Sequence, residues 1–172
     1  MSFSMLFCIV FTMGAVLFDC KWEKVPNLWI IAGLQISMAE HLSGEVIRGL
    51  GSAVIRFWGG IFLVLFLFFP LFLGKMIGTG DIKVLAVLGS VLGPRKILFC
   101  IVTAFLLGAV ESLFLLFFRC DWRQRFLYFF QYLQRAYVER SLPPYLVPGK
   151  RPENIHFTIP ILGSVLLLYL GG

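Results

Sequence analysis

The sequence predicts an all-α, polytopic membrane protein with about six transmembrane helices. Of its 172 residues, 59% are hydrophobic and only 14% are charged, whereas a soluble domain carries about 25% charged residues. The mean hydropathy is +0.91, and apolar runs suited to crossing a bilayer recur along the chain. Little polar sequence remains between these runs, so we predict a single membrane-embedded domain over residues 1–172.

The predicted spans end at charged residues, prolines or glycines. The first span stops at the charged segment 19–24, and the second begins after Pro26. The third contains the phenylalanine-rich run 62–69, and the short fourth closes at Gly93 and Pro94, which are typical breakers. The six spans are predicted at residues 2–18, 28–39, 53–73, 81–92, 97–118 and 155–170.

One long polar region, residues 119–154, separates the last two predicted spans and holds seven basic residues. Its middle, residues 122–137, mixes aromatic, leucine and arginine side chains. This mixture is typical of an amphipathic helix that lies at the membrane interface. We therefore predict a cytoplasmic segment with an interfacial helix before the last span.

Charge distribution predicts the orientation in the membrane. The predicted loops after the first, third and fifth spans, together with Lys83 at the adjoining start of the fourth span, hold eleven of the fifteen lysine and arginine residues. Because basic residues collect in cytoplasmic loops, we predict a multi-pass protein of the cytoplasmic membrane with both termini outside. The same rule accounts for the net charge of +6 without a nucleic-acid partner. We therefore predict that the protein contacts the lipid bilayer and binds no nucleic acid.

Two aspartates border spans on the predicted cytoplasmic side. Asp81 follows Gly78-Thr79-Gly80 at the start of the fourth span, and Asp19 follows the first. A carboxylate entering lipid is costly and is therefore a functional candidate. Two neighbouring carboxylates share one proton, so the ionised one can deprotonate water while the protonated one polarises a carbonyl. This pair predicts peptide hydrolysis without a covalent intermediate, cofactor or metal.

The residues around both aspartates resemble the type IV prepilin peptidases, which are membrane aspartyl proteases of the GxGD type. Residues 78–83, Gly-Thr-Gly-Asp-Ile-Lys, match the motif G-x-G-D-x-K. Residues 25–27, Val-Pro-Asn, follow Asp19 as in the family's first-aspartate motif, and residues 156–160 are similar to a closing segment that contains proline. The resemblance implies catalytic Asp19 and Asp81, with Gly78, Gly80, Lys83, Pro26 and Asn27 as motif and supporting residues.

The family resemblance also implies a substrate. Prepilins carry a short basic leader before a long apolar segment, and family members cleave just after a glycine at this junction, on the cytoplasmic side. Members with a cysteine-rich insertion also methylate the new N-terminus. None of the four cysteines here forms a C-x-x-C pair, and we see no such insertion. We therefore expect a peptidase for prepilin or pilin-like membrane proteins, without methyltransferase activity.

Two other functions stay open. Presenilin-like intramembrane proteases also carry G-x-G-D but pair it with Tyr-Asp, whereas Phe18 precedes Asp19 here. A six-span channel or transporter subunit could line a polar route with Asp19, Asp81 and Glu111.

Three supporting roles stay open as well. Asp81 could cap its helix. Asn27 could orient a carboxylate or cap the second span. Lys83 could be a snorkelling surface lysine or could act beside the aspartates.

Overall fold

The computed structural model describes residues 3–22, 24–44, 50–73, 77–119, 134 and 157–171. Over these residues the chain is all-helical, as predicted, and the predicted interfacial helix at 122–137 lies outside them except for residue 134. The helices of this described part are α1 (Phe3–Trp22), α2 (Asn27–Gly44), α3 (Leu50–Leu73), α4 (Thr79–Arg119) and α5 (Thr158–Gly171).

Three helices in the described ranges are long and apolar enough to cross a membrane, namely Phe3–Trp22, Ala53–Leu73 and Thr79–Phe114. The apolar helix Thr158–Gly171 is shorter, and α2 is not among the candidates. A hydrocarbon core of about 30 Å needs roughly 20 helical residues. These helices identify a membrane protein, while the arrangement with six spans stays a prediction.

The long helix α4 consists of two limbs that meet at Gly93. The backbone of Gly93 has φ 75° and ψ 173°, a left-handed φ that glycine adopts without a Cβ penalty. Pro94 follows immediately, where its missing N–H costs little because the first residues of a helix have no intrahelical acceptor. The break therefore lies where the sequence predicted the close of the fourth span.

Contacts with α3 show that the chain reverses direction at this break. Four close pairs fix the two limbs of α4 against α3: Gly89 with Gly60, Gly93 with Arg56, Pro94 with Gly59, and Phe105 with Phe68. From the first pair to the second, the residue number rises in α4 and falls in α3, so the first limb is antiparallel to α3. From the third pair to the fourth, the residue number rises in both helices, so the second limb is parallel to α3.

The first two helices extend beyond the predicted spans. α1 continues to Trp22, although the first span was predicted to end at residue 18, and α2 covers Asn27–Gly44 instead of residues 28–39. Hydropathy marks only the apolar part of a helix, whereas backbone hydrogen bonds continue into polar sequence at both ends. As a consequence, Asp19 belongs to the last turn of α1 and not to the connection that follows.

The chain divides into two compact units, Met1–Gly108 with His156–Gly172, and Ala109–Ile155. In the first unit, α1 and α5 pack along each other. α1 contributes buried Cys8, Phe11, Thr12 and Ala15, and α5 contributes Thr158, Pro160, Ile161, Ser164 and Val165. The second unit contains Glu111, which is half-buried in α4. A single domain over the whole chain stays a prediction.

Candidate active site at one end of the helices

Asp19 is held by the last helix of the chain. It is half-buried in the last turn of α1. The Thr158 hydroxyl, at the first residue of α5, donates a hydrogen bond to Oδ2 of Asp19 at 2.9 Å. Thr158 is only 1% exposed, so bulk water has little access to this hydroxyl. The packing of α5 on α1 therefore brings this hydroxyl to the Asp19 carboxylate.

Asp81 lies in the first turn of α4. The helix begins at Thr79, so Asp81 is its third residue and not the N-cap residue itself. The amide groups of a first turn carry a partial positive charge that favours an anion. Oδ2 of Asp81 lies 3.3 Å from the place that a Cβ on Gly78 would take. A side chain at position 78 would therefore crowd this carboxylate.

The connection between α1 and α2 packs against the first turns of α4. The buried Val25 has its Cγ2 3.8 Å from the place of a Cβ on Gly80. One turn of α4 further on, Nζ of Lys83 donates a hydrogen bond to Oδ1 of Asn27 at 2.8 Å. Since Asp19 precedes this connection and Asp81 lies between its two contacts, both aspartates lie at the same end of the helices.

Pro26 turns the chain into α2. Its carbonyl oxygen accepts hydrogen bonds from the backbone N–H groups of Trp29 and Ile30, at 3.1 Å and 3.4 Å. Proline has no N–H of its own to satisfy and its φ is already that of a helix start. The Val-Pro-Asn turn thus reverses the chain so that α2 runs back along α1, where the Trp29 indole donates a hydrogen bond to the carbonyl oxygen of Phe11 at 3.2 Å. Asn27 stays in reach of α4.

The structure brings all seven predicted site residues to this one end. Asp19, Gly80 and Asp81 are half-buried, whereas Gly78, Lys83, Pro26 and Asn27 are exposed. Asn27 is the first residue of α2 and pairs with Lys83, a contact that the sequence did not predict for either residue. The contact ties α2 to α4, and the catalytic and supporting roles themselves stay predictions.

Thr158 is the residue that sequence reasoning missed. Thr158 lies in the segment 156–160, in which only the proline matched a family feature. His156 of that segment is outside the described residues. A threonine at the start of an apolar run is common at helix starts, so its presence carries little signal. Only the contact with Asp19 distinguishes it.

No metal site is found in the described part of the chain, where no group of three or more His, Cys, Asp or Glu side chains could hold an ion. Cys8, Cys20 and Cys100 are free thiols, and Cys8 and Cys100 are buried. We assign no metal ligand and no cofactor ligand.

Comparison with known protein families identifies the chain. The model of the type IV leader peptidase family matches residues 5–113, which is more than half of the sequence and includes both Asp19 and Asp81. The chain belongs to the type IV leader peptidase family. No curated protein and no solved structure matches it significantly. The resemblance inferred from the two aspartate motifs is therefore confirmed, and this leader peptidase is a hydrolase of the membrane.

The family match ends at residue 113, before α5. The closing segment 156–160 of this leader peptidase is thus not covered by it, and neither is Thr158. The connection of α5 with the site is seen in the tertiary contact of Thr158 with Asp19.

Proposed function

We propose that this family member is a membrane aspartyl endopeptidase that removes the basic leader from prepilin-like proteins at the cytoplasmic face. Asp19 and Asp81 would act as a general acid–base pair. The observation that carries the proposal is the position of both aspartates at one end of the helices, next to the connection that joins α1 to α2 and contacts α4. Family membership supports the same chemistry.

The reaction needs one proton shared between the two carboxylates. The ionised carboxylate takes a proton from water, and the water oxygen attacks the carbonyl carbon of the scissile peptide bond. The protonated carboxylate gives its proton to the carbonyl oxygen as the tetrahedral intermediate forms. Collapse of the intermediate breaks the C–N bond: the leaving amine takes up the proton that came from water, and the other carboxylate recovers its proton from a hydroxyl group of the intermediate. Which aspartate starts as the base is left open.

The substrate fits the membrane position of the site. A prepilin keeps its basic leader in the cytoplasm and its apolar segment in the bilayer, so the bond between them lies at the membrane boundary. Lys21, in the last turn of α1, and Lys24, in the connection after it, lie at the end that carries both aspartates. With the two limbs of α4 as separate spans and α2 and α5 also crossing, six spans result. We propose this arrangement, in the cytoplasmic membrane with both termini outside.

A cleavage assay with a defined substrate tests the proposed function. The purified chain in lipid vesicles is mixed with a prepilin-like protein that has a basic leader, a junction glycine and an apolar segment. Mass spectrometry should find one cut, directly after the glycine, with no methyl group on the new N-terminus. Replacing the junction glycine of the substrate with valine should stop the cut.

The same assay separates the alternatives. Cleavage within the apolar segment, indifferent to the junction glycine, would favour a presenilin-like protease. No cleavage, together with ion flux through the vesicles that disappears in Glu111→Gln, would favour a channel or transporter subunit.

A further inference from the structure

We infer that Thr158 is a positioning residue for the proposed reaction and fixes the orientation of the Asp19 carboxylate. This inference rests on the proposed function. The hydroxyl donates to Oδ2 of Asp19 at 2.9 Å, and this bond restrains the rotation of the carboxylate. A carboxylate held through one oxygen loses less rotational freedom when the reaction geometry forms.

Other threonines in this chain show why the Thr158 hydroxyl is available. Thr12 donates to the carbonyl oxygen of Cys8, and Thr103 donates to the carbonyl oxygen of Phe99 at 2.8 Å, one helical turn earlier in each case. Thr158 is the first residue of α5, so no earlier turn of this helix offers its hydroxyl a carbonyl oxygen. Its hydroxyl bonds to Asp19 on another helix instead.

The start of α5 is itself held in place. The ring of Phe157 lies 5.4 Å from that of Phe105, centroid to centroid, and 3.1 Å from the place that a Cβ on Gly108 would take. The carbonyl oxygen of Phe157 accepts the first hydrogen bond of α5, from Ile161 at 3.2 Å. Because threonine is β-branched and has few allowed χ1 rotamers, a fixed backbone at position 158 limits the positions that the hydroxyl can take.

Two substitutions at position 158 test the inference. Thr158→Val keeps the shape but removes the donor, so kcat should fall about tenfold to a hundredfold, as expected for a lost hydrogen bond to a charged group, while KM stays unchanged. Thr158→Ser keeps the donor and should retain kcat within about threefold. Thr103→Val, which removes a hydroxyl bonded within its own helix, is the matched control and should leave kcat unchanged.

Several outcomes would overturn the inference. They are a wild-type kcat in Thr158→Val, an equal loss in the serine and valine variants, and a change confined to KM or to the melting temperature. If Asp19→Asn is inactive while Thr158→Val is fully active, only this inference fails. If Asp19→Asn itself remains active, the proposed function fails first.

A second inference concerns the opposite end of the helices and does not depend on the proposed function. An open cavity of about 560 Å³ lies there, between the start of α1, the first turns of α3 and the break in α4. Three cationic side chains line it: Arg56, Arg95 and Lys96. Ser4 also lines the cavity and donates a hydrogen bond to the carboxylate of Glu40. The three cations outnumber this one carboxylate, so the summed charge of the four charged groups is positive.

The cavity adjoins an apolar groove along α3. The groove is lined by residues from Gly59 to Pro70, and Gly59 follows Arg56 by one helical turn. Trp58 and Phe62 are 50% and 61% exposed beside it, and their rings are stacked at 5.7 Å. A cationic cavity above an exposed apolar surface matches a molecule with an anionic head and an apolar tail.

We propose that this cavity binds the phosphate of an anionic membrane phospholipid, with an acyl chain along the groove on α3. The three cations provide the charge complementarity. The second limb of α4 also begins here, and the start of a helix carries a partial positive charge. Free phosphate would complement the three cations of the cavity but would leave the apolar groove without a ligand. For this reason we favour the lipid.

Native mass spectrometry of the purified protein in neutral detergent tests this site. Phosphatidylglycerol should bind at least about tenfold tighter than phosphatidylcholine with the same acyl chains, and each of Arg56→Gln, Arg95→Gln and Lys96→Gln should weaken it about fivefold. Lys24→Gln, at the other end of the helices, is the charge-matched control and should bind like the wild type. Equal binding of the two lipids, unchanged binding in all three variants, or inorganic phosphate binding as tightly as phosphatidylglycerol would contradict the proposal.

Discussion

Replacing either aspartate with asparagine is expected to abolish leader cleavage while the protein stays folded. Asparagine has the shape of aspartate but cannot carry or release the shared proton, so Asp19→Asn and Asp81→Asn should each lower kcat at least about a thousandfold. The carbonyl oxygen of an asparagine at position 19 can still accept the hydrogen bond from Thr158, so the packing of α5 on α1 is retained. Cleavage of the prepilin-like substrate in vesicles measures the loss.

Glu40→Gln is the matched control for the two aspartate variants. Glu40 is also a half-buried carboxylate in a helix of the first compact unit, but it bonds to Ser4 at the opposite end of α1 and α2. Its amide variant should cleave at the wild-type rate. If either aspartate variant retained more than about a tenth of the wild-type rate, general acid–base catalysis by this pair would be ruled out.

The second large effect is expected where α3 and α4 touch through their backbones. Gly60 and Gly89 are both buried, and a Cβ on Gly60 would overlap the carbonyl group of Gly89. In the reverse direction, a Cβ on Gly89 would lie 2.6 Å from the carbonyl oxygen of Gly60. Close helix packing through small residues is a main source of stability inside a membrane. Gly60→Ala should therefore lower the free energy of unfolding by about 1–3 kcal/mol.

Thermal unfolding in detergent measures this effect, and the neighbouring glycine provides the control. A Cβ on Gly59 would meet only the side chain of Pro94, at 3.9 Å, which is an ordinary van der Waals distance. Gly59→Ala should melt at or above the wild-type temperature, because alanine favours a helix, whereas Gly60→Ala should melt several degrees lower. Equal melting temperatures would show that the two helices do not approach each other as closely as described.

Much of the fold and of the candidate site could be predicted because it depends on local chemistry. Apolar runs predict helices in lipid since a spanning segment must satisfy its own backbone hydrogen bonds. Gly93 and Pro94 predict a break because a left-handed φ and a missing N–H are properties of single residues. The two aspartate motifs identified the family, and the match over residues 5–113 confirms it.

Helix ends and long-range partners could not be predicted in the same way. Asp19 was assigned to a connection but lies in the last turn of α1, because hydropathy does not record where backbone hydrogen bonds stop. Asn27 and Lys83 are 56 positions apart, and neither residue type specifies the other as its partner. Their contact exists because the α1–α2 connection packs on α4.

The sequence by itself determined that this chain is a helical membrane protein of the type IV leader peptidase family, since composition and short motifs carry that information. Only the tertiary structure decided that α5 supplies Thr158 to Asp19 and that α3 and the first limb of α4 meet through two glycine backbones. The physical reason is that side-chain hydrogen bonds and backbone contacts between helices depend on which faces pack together, and packing is a property of the whole set of helices.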